Sequence, residues 1–352
     1  MIDGPARHGG RRRAGARDAR RASARVAGPR QVPTETQPDV RHPSTAQPDT
    51  GQLNQLDRGD FPTSPIPTVA GRGSGARPVR ARRPEATTER LDHLTAAVLA
   101  AFLTAVLVLA STGGGLAAVI AVVAVLQALL IGGWVVALEP PGPIGAAVIA
   151  CAAAVAADIV LAARDRPSLS ALIGVLGLAF VALILHQLFR GPVRVKVTDS
   201  MARLATLVVV TGALAALVVT RRGTSGPDLL VAAVLAMGIA LVVGHLVDLV
   251  VSVPRFADGI PRGLPALLIG AIGGGATAIW RLHHLSGVGT VEAGFLGVAL
   301  GLVVGLVAVG VSYLELAPRG TAGRLAAPYL QVVLPIALAA PVAYLLSRVV
   351  AG

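Results

Sequence analysis

The stretch "VAAVLAMGIALVVGHLVDLVV", residues 231–251, decides the fold. Its 21 residues include only two ionisable side chains, His245 and Asp248, and the remainder are apolar or glycine. About 20 such residues in an α-helix, at ~1.5 Å each, cross the ~30 Å hydrocarbon core of a bilayer. The same ruler finds eight further candidates: 92–111, 115–138, 143–163, 168–189, 203–220, 264–282, 291–313 and 325–349, with the opening stretch inside a span over 228–251. Their joints, among them "STGGG", "EPPGP", "RDRPS" and "RRGTSGP", are turn chemistry. The pattern predicts an all-α polytopic membrane protein of about nine transmembrane helices over residues 91–352.

Composition places a different object ahead of it. Residues 1–90 carry 17 of the arginines and nine acids, in a Pro/Gly/Arg-rich setting without helical or strand periodicity. Too little apolar surface is present there to offset the entropy of ordering, which predicts a disordered tail. A tail this long before the first apolar run argues against a secretory signal. Its last segment, "RPVRARRPEATTER", sets Arg77, Arg80, Arg82, Arg83 and Arg90 beside the first span. Each is worth about 1 kcal/mol near an anionic lipid surface, so membrane lipids are the expected partner, or the run is a topology anchor alone. No aromatics are interleaved for base stacking, so no nucleic-acid partner is expected. The arginine bias predicts a cytoplasmic N-terminus and a multi-pass plasma (inner) membrane protein. On that topology Arg255 and Arg262 lie in a cytoplasmic joint. Cys151 is the single cysteine, which excludes an intrachain disulfide and thiol metal sites.

Ionisable groups inside a span are expensive and mark candidate sites. His245 and Asp248 stand three apart and share a helix face. Two readings fit them: a proton-relay or cation site, or a pair close enough to the interface for water to reach. Asp158, in the third span, is the candidate intramembrane acid, with a cavity lining or protonation as its physical escapes. Thr198 and Asp199 read as a helix cap before the fifth span. Gly297, Gly301 and Gly305 recur every four residues on one face, a helix-packing signal that admits close approach of a neighbour or of another membrane protein. "IGAIGGGATA" (269–278) reads as a tight crossing, a kink or a cavity wall. Walker, HExxH and CxxC signatures are absent.

Over about 195–350 the chain resembles the membrane domain of CDP-diacylglycerol synthases (phosphatidate cytidylyltransferases). The likeness is carried by "GAIGGGATA" after "PRGLPALLI", by "GLVVGLVAVGVSYLELAPR" and by "LPIALAAPVAYLLSRVV". It implies a nine-span fold with a cytoplasmic site where CTP and phosphatidate combine, using Mg²⁺ held by acidic residues, in phospholipid metabolism. The chain departs from that pattern where the metal would bind. "ELAPRGTAGRLAAPYLQVVLPIALAAP" (315–341) contains no Asp, His or Lys, and Gln331 and Leu334 stand at the positions of the family's metal-binding pair. An amide and an isobutyl group cannot replace two carboxylates around a divalent ion. The expectation is therefore a non-catalytic relative with no cofactor or metal, acting in lipid binding or membrane-protein association. His245, Asp248, Glu315 and Arg319 are expected to line its polar cavity. An active cytidylyltransferase using Mg²⁺ and a small-solute or lipid transporter are the alternatives.

Overall fold

The computed structural model describes residues 86–140, 142–164, 168–189, 197–223, 225–251, 253–257, 260–315 and 321–351. Residues 1–85, with Arg77, Arg80, Arg82 and Arg83, lie outside them, as does Arg319, whereas 86–90 of the expected tail form the start of the first helix. Ten α-helices follow in order: α1 (Ala86–Gly113), α2 (Gly115–Leu138), α3 (Pro143–Ala163), α4 (Ser170–Phe189), α5 (Val197–Leu214), α6 (Ala216–Arg222), α7 (Gly226–Val250), α8 (Leu264–Leu282), α9 (Thr290–Glu315) and α10 (Thr321–Val350). Among the described residues nine membrane-length apolar segments result, because α5 and α6 form one broken span. Among the described residues no strand is present.

Helix ends follow from local chemistry. Pro143, Pro227 and Pro265 sit at the first positions of α3, α7 and α8, where a missing N–H costs nothing. Arginines close two C-termini: Arg203 Nη1 donates to the Leu138 carbonyl at 2.9 Å, and Arg222 Nη1 to the Leu161 carbonyl at 2.8 Å. Each satisfies an orphan carbonyl and faces the negative end of a helix dipole. Asp199 lies in the first turn of α5 and pairs with Arg203 four residues on, at 3.1 Å. At the far end Arg281 ties α8 to α7 through Asp228 at 2.7 Å.

The broken span, α7 and α10 form the interior; about 70% of each is buried, against 22% for α4 at the rim. Glycines set the spacing around α8. A Cβ at Gly270 would come within 2.7 Å of the Ala240 carbonyl of α7, and one at Gly301 within 2.7 Å of Ala271 Cα. Gly297 and Gly305 likewise meet Gly274 and Leu267 of α8. The four-residue glycine stripe of α9 is thus consumed inside the chain, against α8, and does not face outward.

The fifth span breaks at Ala215. Ala215 N–H reaches back three residues to the Gly212 carbonyl at 3.1 Å, and Val218 N–H reaches Ala215 at 3.0 Å. Bonding to i−3 takes the Thr211 carbonyl out of the i−4 ladder. That carbonyl accepts instead from Gln127 Nε2 of α2, at 3.3 Å.

Candidate functional site: a buried polar cluster

His245 and Asp248 end the long apolar run of α7, and both are buried, with His245 fully so. The segment after α7 turns back on itself: Phe256 N–H bonds Arg262, and Leu264 N–H bonds the Pro254 carbonyl at 2.9 Å. This returning arm drives the Arg262 side chain into the bundle, where it is 4% exposed. Arg262 Nη2 lies 2.9 Å from His245 Nε2, Nη1 lies 3.7 Å from Asp248 Oδ2, and Nη2 lies 3.5 Å from Gln331 Oε1 of α10. Gly263 N–H donates to Asp248 Oδ1 at 2.9 Å, so the arm is held by a side chain and a main-chain bond together. On the other side of His245, its Nδ1 lies 3.2 Å from Nδ1 of His93, which is buried in α1.

Donor and acceptor bookkeeping fixes the protons. A guanidinium only donates, and Arg262 Nη2 lies nearer to His245 Nε2 (2.9 Å) than to Nδ1 (3.4 Å), which assigns Nε2 as the acceptor and the hydrogen to Nδ1. That hydrogen donates to His93 Nδ1, which leaves the His93 proton on Nε2. Both rings are then uncharged, and Arg262 and Asp248 carry opposite charges. A water-sized cavity of about 10 Å³ adjoins it, bounded by Asp248, Arg262, Gly244, Gly263, Gly301 and Gly305. Pro335 of α10 removes the N–H that the Gln331 carbonyl would otherwise receive, opening that helix at the same level.

The expected cavity residues thus divide. His245 and Asp248 meet, but through Arg262 as a bridge. Glu315 ends α9, with its side chain outside the described residues, as Arg319 is entirely. Arg90 is exposed at the start of the first span. His93, Arg262 and Gln331 join the site without having been marked for it. The single-sequence signal for His93 was its place inside the first apolar run; for Arg262 it was the turn "PRFADGIPRG" that allows a return.

Asp158 belongs to a second polar centre. It is buried in α3 and accepts from Gln127 Nε2 at 3.1 Å, the same amide that donates to Thr211 O. Among the described residues no three His, Cys, Asp or Glu side chains gather at metal-ligating distance.

Fold and site together define a multi-pass helical membrane protein with two buried polar centres. No protein-family model, curated protein or solved structure matches the chain.

Proposed function

We propose that the protein is a small-solute transporter whose movement is coupled to a cation, with the His93–His245–Arg262–Asp248 cluster as a seal at its cytoplasmic end. One observation carries this reading: an arginine on a connecting arm, rather than on a helix, occupies the interior between α1, α7 and α10. Four ionisable groups buried in a membrane bundle are costly, and such groups usually serve a pathway. An arm that inserts can also withdraw, exposing Asp248, His245 and Gln331 to water. The broken fifth span adds support, because irregular backbone inside a membrane is tolerated where it meets protein polar groups or a cavity, as at transporter sites.

Protein-containing liposomes loaded with a pH-sensitive dye and bathed in radioactive sodium test the reading. Expected is proton or sodium flux above protein-free vesicles, with a larger leak in Arg262→Ala and Asp248→Asn, where the seal is broken. Flux equal to that of protein-free vesicles in wild type and both variants would overturn it.

A second reading, lipid binding without catalysis, is favoured by a 190 Å³ pocket at the opposite end of the bundle. Thr220, Tyr344, Ser347 and Arg348 line it; the Thr220 and Ser347 hydroxyls donate to the Ala216 and Tyr344 carbonyls at 3.0 and 2.7 Å, so Arg348 is the group that would meet a phosphate headgroup. Co-purified phospholipid that is lost in Arg348→Ala would support this reading; equal lipid content in both proteins would contradict it.

A further inference from the structure

We infer that Asp158, Gln127 and the Thr211 carbonyl form a binding site for a monovalent inorganic cation. The three come from α3, α2 and α5, and all three residues are buried, at 6%, 2% and 0% exposure. Gln127 Nε2 stands 3.1 Å from one oxygen and 3.3 Å from the other. With its two hydrogens it does what a small cation does, holding a carboxylate and a carbonyl together in a region without bulk water. Rotating the amide by a half turn presents Oε1 to the same two oxygens. Three oxygens in that arrangement repel one another unless a proton or a metal cation lies among them, so amide orientation and site occupancy are coupled. The loaded site then has three protein oxygens from three helices.

The ion's charge follows from the inventory. Among the described residues Asp158 is the one carboxylate in contact with Gln127, and a single buried negative charge is balanced by a single positive one. Ca²⁺ takes six to eight oxygens, commonly several carboxylates, and Mg²⁺ sheds water reluctantly, so neither fits two neutral oxygens and one carboxylate. The backbone oxygen is supplied by the break at Ala215; in an unbroken helix the Ala215 N–H would claim the Thr211 carbonyl. The Thr211 hydroxyl donates to the Leu207 carbonyl at 2.6 Å.

This inference deepens the transport reading and rests on it for the ion's use, though not for its binding. Lipid-soluble dicyclohexylcarbodiimide, which modifies carboxyls in apolar surroundings, tests it on the full chain in liposomes, with modification of Asp158 read by peptide mass spectrometry. NaCl, KCl and LiCl are compared with choline chloride at equal ionic strength. At a cation concentration about ten times Kd, mass action slows modification roughly tenfold. The expected result is slowing by at least one alkali cation and not by choline, with the protection abolished in Gln127→Leu while Asp158 still reacts. Equal rates in all four salts, or an Asp158 that does not react, overturn the site. Protection without flux would leave the site standing and remove the transport reading; flux without protection would do the reverse.

Discussion

Replacing Arg262 by alanine takes one partner from a buried ion pair and leaves Asp248 inside the bundle. Breaking a pair this way typically costs about 3–5 kcal/mol. Two features place the expected loss at the lower end. The Arg262–Asp248 separation is 3.7 Å, longer than a direct charged hydrogen bond, and Gly263 N–H still donates to Asp248 Oδ1 in the variant. His245 Nε2 also loses its donor at 2.9 Å, which adds to the deficit. A loss of about 3 kcal/mol is a shift of roughly two orders of magnitude in the unfolding equilibrium. Sodium dodecyl sulfate titration in mixed micelles measures it, with Trp134, buried in α2, as a fluorescent reporter. The paired change Arg262→Met with Asp248→Leu removes both charges, and it should recover most of the loss, since apolar replacements of buried pairs are often neutral. A single-variant loss within about 0.5 kcal/mol of zero, the range of surface substitutions, would show that Arg262 does not occupy the interior.

Four further outcomes follow from the packing, the second polar centre and the exposed cysteine. Gly301→Leu should destabilise the α8–α9 contact by about 2 kcal/mol or more in the same titration, since a Cβ there already lies 2.7 Å from Ala271 Cα. Gly310→Ala, with nothing within 4 Å of its added carbon, should be within about 0.5 kcal/mol of wild type. Gln127→Glu adds a second carboxylate beside Asp158 and should transfer protection against carbodiimide from alkali cations to Ca²⁺; unchanged selectivity would contradict the oxygen-ligand assignment. Cys151, exposed on the outside of α3 within its span, should react with a lipid-soluble maleimide and resist a membrane-impermeant one applied from either side of the vesicle.

Span positions are legible in the sequence because crossing a bilayer requires a continuous apolar run, and that requirement is local. The nine segments read from hydropathy match the helices to within a few residues, except where amphipathic turns extend them, as at α5, which begins at Val197 rather than 203. The break at Ala215 was not legible. It lies in "TGALAALVV", where no proline interrupts the run, and it coincides with a tertiary contact, the Thr211 carbonyl accepting from an amide 84 positions earlier. His245 and Asp248 were legible as unusual, but their partners were not. His93 meets His245 across 152 positions, and Arg262 reads as an ordinary arginine of a charged joint until the arm is seen to fold back. The glycine stripe of α9 was legible as a packing face, whereas its neighbour, α8 of the same chain, is visible only in the fold.

Nitrogen-15 solid-state NMR of histidine- and arginine-labelled protein in lipid bilayers tests the convergence of α1, α7 and the returning arm most directly. The expected spectrum has His245 protonated on Nδ1 with bare Nε2 close to an Arg262 guanidinium nitrogen, and His93 protonated on Nε2 alone. A His245 ring showing no proximity to any arginine would contradict the buried cluster and the seal built on it.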